Sequence, residues 1–271
     1  MFARIAHVAI YTESFPKMAN FYKNVFGMRQ ITKGMSDETG QKRADLGHIS
    51  DGVIGLALLR RNAGIRSGLD HIGFDVEDIK TVMERIRADY PEILAKSDLG
   101  QIVPFVSTRT HDPVGTHVDL SQQDAPNVRE GYTDEGYRRD QVRHFNHVAI
   151  RAFNPSRLAE FYKKVFELQE LESAEDHRCL TDGKSHLVIR TCHTSTYTTM
   201  MEGLDHIGFK VESLEKVKND LSEIGKSFPE SVPKKIAGGR FGDAALSDLE
   251  ACGAGQYGTA DPDGVLLHLS E

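Results

Sequence analysis

Apolar residues recur along this chain in two alternating rhythms. RIAHVAIYT, around residue 7, and LDHIGFDV, around residue 71, alternate with a period of two, which predicts half-buried strands. A segment of helical spacing follows each at once. Phe15, Met18, Ala19, Tyr22, Val25 and Phe26 fall on one face after the first, and Ile79, Val82, Met83 and Ile86 after the second, with Asp78 placed as an N-cap. The alternation then returns. Asn154 caps a third helix with Pro155 at its first position and Leu158, Phe161, Tyr162 and Val165 along a face. Ser213 opens a fourth, with Leu214, Val217, Leu221 and Ile224. Between helices the pattern is of short strands broken by Gly or Asp turns, at 42–50, 53–61, 102–110, 116–121, 177–183, 186–192, 256–260 and 265–270. The reading is an α+β chain of four tandem strand–helix–three-strand units, βαβββ.

The units come in two duplicated pairs. His7-Val8-Ala9-Ile10 and His147-Val148-Ala149-Ile150 are identical and 140 residues apart, and Phe21-Tyr22-Lys23 keeps that offset to Phe161-Tyr162-Lys163. Gly68-Leu69-Asp70-His71-Ile72-Gly73-Phe74 returns as Gly203-Leu204-Asp205-His206-Ile207-Gly208-Phe209. Asp112-Pro113-Val114-Gly115 returns as Asp261-Pro262-Asp263-Gly264. The order is kept throughout, which is the signature of tandem duplication. A polar stretch with Pro126 separates the copies. The expected organisation is a first domain at 1–121, a linker at 122–143 and a second domain at 144–271, two units in each.

Composition narrows the classes of function. The 33 basic and 40 acidic side chains leave a net charge of -7, which argues against a nucleic-acid partner held by bulk electrostatics. Three Cys at irregular spacing make no disulfide framework and fit a reducing compartment. No segment approaches the ~20 apolar residues of a membrane span, and the N-terminus lacks the apolar stretch of a signal peptide. The expectation is a cytoplasmic protein that acts on a small molecule, with homo-oligomerisation left open.

Twelve His stand out in this composition. His7, His71, His147 and His206 occupy equivalent places near the start of each unit's first strand, although duplication alone would preserve them. The closing strands add a different argument. The fourth residue after the Gly of each Asp-Pro-x-Gly turn is Asp119 in the first half and His268 in the second, each between apolar neighbours. Such a residue points opposite to those neighbours, and an inward ionisable group is costly unless paired or metal-bound. Two His and a carboxylate suit non-haem Fe(II) and related ions, and three His suit zinc or another divalent cation. His117 shares the strand face of Asp119 and is a further candidate partner.

With the HVAI…FYxxVF pairs, the LDHIGF pairs and the closing DPxG strands in hand, the chain resembles the vicinal oxygen chelate superfamily, which includes glyoxalase I, bleomycin-resistance proteins and extradiol dioxygenases. The resemblance covers about residues 4–121 and 144–271. It implies that two units pair into one curved, cup-like mixed sheet with helices outside. It also implies metal ligands His7, His71 and Asp119 in one cup, and His147, His206 and His268 in the other. In two-domain extradiol dioxygenases the C-terminal half is usually the active one and its third ligand is Glu, whereas this chain has His268. The same resemblance implies an acid–base role for His193, in the loop before His206, and a substrate-side role for Tyr257. The activity implied is extradiol-type ring cleavage with Fe(II). A glyoxalase-like lyase or isomerase using Zn, Ni or Mn is the second reading, and a metal-free binding protein of the bleomycin-resistance kind the third. An insert of 14 residues before the last strands of the second half, rich in Gly and small residues, reads as a loop able to lid a cup.

Overall fold

The computed structural model describes residues 2–31, 47–93, 106–123, 141–174, 177–192, 201–236 and 240–271. The first half runs β1 (Ala3–Thr12), α1 (Phe15–Phe26), β2 (Arg29–Ile31), β3 (Gly47–Ser50), β4 (Gly55–Arg60), β5 (Gly68–Val76), α2 (Ile79–Asp89), β6 (Thr108–His111) and β7 (His117–Gln122). The second runs β8 (His144–Ala152), α3 (Pro155–Phe166), β9 (Gln169–Ser173), β10 (His177–Thr181), β11 (His186–Thr191), β12 (Gly203–Lys210), α4 (Leu214–Ser227), α5 (Arg240–Ala251), β13 (Tyr257–Ala260) and β14 (Leu266–Ser270). Each half makes one open, seven-stranded mixed sheet, ordered β2-β3-β4-β1-β5-β7-β6 and β13-β14-β12-β8-β11-β10-β9, the same order read from opposite ends. The first strands of paired units lie antiparallel at the centre, β1 on β5 and β8 on β12. Each also has a parallel outer neighbour: β4, β7, β11 or β14.

The helices start and stop where side chains can satisfy their ends. The Ser14 hydroxyl accepts from the Lys17 N–H at the start of α1, and Asn154 accepts from Arg157 at the start of α3. Both helices end on a left-handed residue whose N–H returns to the last turn. That residue is Gly27 after α1 (φ 70°) but Glu167 after α3 (φ 58°), where a side chain tolerates a conformation that Gly adopts freely.

The helix faces of the two sheets share a single apolar core. Phe26 of α1 stacks on Phe209 of β12 at 4.1 Å, and Phe166 of α3 stacks on Phe74 of β5 at 4.4 Å. Polar locks cross in the same symmetric way. Tyr22 donates to Asp261 and Tyr162 donates to Asp112, each at 2.9 Å, so the turn aspartate of each half holds the first helix of the other. Asp51 accepts from the Phe145 N–H at 2.7 Å, and Asp182 from the Ile5 N–H at 2.8 Å.

Among the described residues, the second unit of each half has three strands; of the run expected at 102–110, a strand covers Thr108 onward, and residues 102–105 lie outside the described residues. The structure corrects one local expectation. The Gly-rich insert is not an open loop. It contains the 12-residue helix α5, and that helix lies on the inner face of the second sheet instead of outside it. A Cβ on Gly258, which pairs with His268 on that face, would meet Leu249 of α5 at 2.8 Å.

Candidate metal centres in two cups

Strand irregularities aim the ligand side chains. In β1 the register slips between Ile5 and His7, so Ile5, Val8 and Ile10 face the core while His7, Ala9 and Tyr11 face the cup. β8 slips in the same way beside Asn146, which turns His147 inward while Phe145 and Val148 stay in the core. The partner strands carry a second irregularity, at Asp70 in β5 and at Asp205 in β12. Each bulged aspartate therefore lies beside the histidine that follows it. Asp70 Oδ2 is 2.6 Å from His71 Nδ1, and Asp205 Oδ2 is 2.8 Å from His206 Nδ1. A carboxylate on Nδ1 fixes the tautomer and leaves Nε2 to bind a metal. The Asp-His dipeptide repeats in both halves and is the sequence signal for this role, which the strand pattern alone did not assign.

Glycines make room for the first histidine of each cup. A Cβ on Gly73 would lie 2.0 Å from His7 Cε1, and one on Gly208 would lie 2.0 Å from His147 Cε1. The Ile-Gly-Phe of each motif is thus a cradle for an imidazole on the neighbouring strand.

Each half gathers its three expected ligands. The donor atoms of His7, His71 and Asp119 lie within 4.8 Å of one another, and so do those of His147, His206 and His268; all six residues are buried. In the first cup, Asp119 Oδ2 is 3.1 Å from His71 Nε2 and 3.9 Å from His7 Nε2. Donors bound at about 2.1 Å to a common ion stand roughly 3.0–3.4 Å apart, so both sets need little movement to fit one. In the second cup, His147 Nε2 and His206 Nε2 are 3.1 Å apart.

The electrostatics of the two cups differ. Burial, reinforced by the neighbouring His71, pulls His7 down to about 3, so it is a neutral ligand at pH 7. Burial also lowers His71, but hydrogen bonds to Asp119 and Asp70 outweigh it and hold the ring above its ordinary value. Burial pushes Asp119 up, yet its bonds to His71 and Arg109 hold it well below the usual carboxylate range. Arg109, across the strand pair on β6, grips Asp119 with both arms, at 2.5 and 2.9 Å. In the second cup no carboxylate is among the three donors. Burial lowers His147 well below its ordinary value and takes His268 down to about 4. Here the cations sit behind the ligands, with Arg151 3.1 Å and Arg190 3.3 Å from Asp205. His268 is fully buried, with the Gly255 backbone against its ring.

Other expected residues fall elsewhere. His193 lies outside the described residues. Tyr257 pairs with Leu269, whose side chain is in the core, so its ring faces the helices and carries Lys218 Nζ at 4.3 Å. This corrects its expected substrate-side role, because the strand register sets it on the opposite face from His268. His117 shares the inner face of β7 with Asp119 but is exposed, paired in register with His71. His48 of β3 is a residue the repeats did not flag. It pairs with Ala57 on the inner face of the first sheet, and burial holds it down at about 4.

Solved structures share this fold at low identity. An extradiol ring-cleaving dioxygenase from B. fuscum is 13% identical, with a TM-score of 0.61, covering 100% of this chain and 72% of that one. The Mn(II)-bound glyoxalase from Novosphingobium aromaticivorans is 13% identical, with a TM-score of 0.59, over 99% and 81%. A xylose isomerase-like TIM barrel/4-hydroxyphenylpyruvate dioxygenase fusion protein is 15% identical, with a TM-score of 0.56; the match covers 93% of this chain but spans only 41% of that longer protein. No curated protein matches the chain. The family model of the Glyoxalase/Bleomycin resistance protein/Dioxygenase superfamily matches residues 4–129 and again 144–269, and the chain belongs to that superfamily as two tandem copies of its domain.

Proposed function

We propose that the protein is a metal-dependent enzyme acting on a small substrate with two adjacent oxygens, that its reaction is extradiol-type ring cleavage, and that the first cup is the reacting centre. One observation carries this reading: His7, His71 and Asp119 form a two-histidine, one-carboxylate set on one face of one sheet. A divalent ion held there, Fe(II) above all, would supply Lewis acidity to neighbouring substrate oxygens and redox chemistry toward dioxygen. The protein's own groups do the rest. Asp70 orients His71, and Asp119 brings the negative charge that favours a cation. His48, neutral and on the same face, is placed to take a proton from a catechol hydroxyl. Arg109, about one-third exposed at its side chain, offers a cation to an anionic substrate.

Arg109 also favours a second reading. It already gives Asp119 a cationic partner, as a metal-free binding cup would require. Anaerobic reconstitution with Fe(II), followed by metal analysis and oxygen uptake on catechols, separates the two. The proposal expects iron in the first cup, lost in Asp119→Ala, and oxygen consumption that falls by at least about 10²-fold in that variant. A first cup that holds no metal, with catechol bound equally well by the Asp119→Ala protein, supports the binding reading and removes the enzymatic one. Bound metal without oxygen uptake removes ring cleavage and leaves the lyase alternative.

A further inference from the structure

Arg109 stands on the oxygen that the first cup turns toward its histidines. Asp119 Oδ2 is 3.1 Å from His71 Nε2 and 3.9 Å from His7 Nε2. Arg109 Nε holds Oδ1 at 2.5 Å, and its second arm, Nη2, reaches Oδ2 at 2.9 Å. The Asp119 side chain is 1% exposed and that of Arg109 36%, so the cation has a way out to solvent and the carboxylate has none. The two halves make the pairing of charges plain. On β6 and β7 a cation faces a carboxylate, Arg109 against Asp119. On β13 and β14 the same register sets Gly258 against His268, which is neutral at pH 7. The cation accompanies the charged donor and is missing beside the uncharged one. A buried carboxylate needs such a partner, and a forked guanidinium serves both of its oxygens.

We infer, on the reading of the first cup as a metal centre, that Arg109 is the resident cation of that cup, a positioning residue with which a divalent ion has to compete. Asp119 Oδ2 is the oxygen that converges with the two imidazoles, so Nη2 gives it up when the cup is loaded. Nε keeps Oδ1 and turns the carboxylate to bind through one oxygen. The guanidinium charge stays close to the donors and opposes a second cation beside them. Arg109 therefore sets how tightly the first cup holds its ion, a restraint that the second cup lacks.

Titration of the full, chelator-stripped chain with Mn(II) tests the sign. The first-cup site is the one that Asp119→Ala abolishes. Arg109→Met is expected to bind Mn(II) there at least about tenfold more tightly than the wild type, with Arg109→Lys between them. An arginine that only orients its ligand gives the opposite sign, a loss of about 10–100-fold, and that result or an unchanged affinity overturns the inference. If the wild type shows no such site, its appearance in Arg109→Met upholds the inference. Its absence from both removes the metal reading itself, and the role of Arg109 with it. If Arg109→Met does not fold, nitrogen-15 spectra of the wild type decide, with the Arg109 side-chain signals assigned by their loss in Arg109→Lys. Filling the first cup with Zn(II) should speed exchange of the Nη protons with water at least about tenfold, because their bond to Oδ2 is given up. Exchange that is unchanged or slower overturns the inference.

Discussion

Asp70 and Asp205 act through the histidines they touch. Each meets Nδ1 of its neighbour at 2.6 or 2.8 Å, and each can do so because a bulge puts two consecutive residues on one side of the strand. Asp70→Asn keeps the shape and removes the charge. It should weaken metal binding in the first cup by about 10–100-fold and leave the second unchanged; Asp205→Asn should do the reverse. Metal titration of the two variants measures this. The candidate ligands themselves were legible in the sequence, because duplication marks four histidines and the closing strands mark Asp119 and His268. Their orienting carboxylates were not, since strict alternation sends Asp70 away from the face that His71 uses. Arg109 was hidden for a related reason: only the register of β6 on β7 sets it opposite Asp119.

At the scale of the element, strands β5 and β12 are shaped by a missing side chain. Gly73→Ala and Gly208→Ala would each drive a methyl into an imidazole, with 2.0 Å where an ordinary contact needs well over 3 Å. Gly73→Ala should displace His7 and abolish metal uptake in the first cup alone, and Gly208→Ala should do so in the second alone. Metal stoichiometry falling by one site in each, with folding checked by circular dichroism, is the expected result. Equal loss at both sites in either variant would contradict the separate-cradle account. The four helices on the outer faces follow from apolar spacing and caps and were readable in advance. Helix α5 was not. It is flanked by Gly on both sides, and its apolar residues serve the inside of a cup that no local pattern announces. Tyr257 was misplaced for want of a register, because a strand of four residues does not reveal which of its faces meets the core.

At the scale of the whole molecule, the two halves are joined through buried carboxylates. Burial pushes Asp261 up to about 6, even though its Oδ1 accepts from the N–H groups of Asp263, Gly264 and Val265 and its Oδ2 from Tyr22. With the folded value raised above the unfolded one, this group's contribution is fully present below about pH 4 and is lost as pH rises through about 6. Asp261→Asn stays neutral and keeps the acceptor for the turn. It should flatten the pH dependence of stability over that window, by up to a few kcal/mol in total, as read from denaturant melts at several pH values. An unchanged slope would show that Asp261 is not the group responsible. Tyr22→Phe should be destabilising by about 1–3 kcal/mol, because it leaves a buried oxygen unmet. The duplication was plain from the sequence. The exchange of polar locks between halves was not, because Tyr22 and Tyr162 read only as apolar positions on an amphipathic face.

That exchange has a consequence for how the copies can change. Each half is the other's scaffold, so a substitution on the shared helix faces is answered for by the whole chain. The inner faces carry no such mutual obligation. There the positions have already parted: Asp119 against His268, Arg109 against Gly258, His48 against Cys179 and Tyr11 against Arg151 stand at matching strand registers. A fold secured jointly on one side leaves each cup free to be rewritten alone, so one can change its donors while its twin keeps its own.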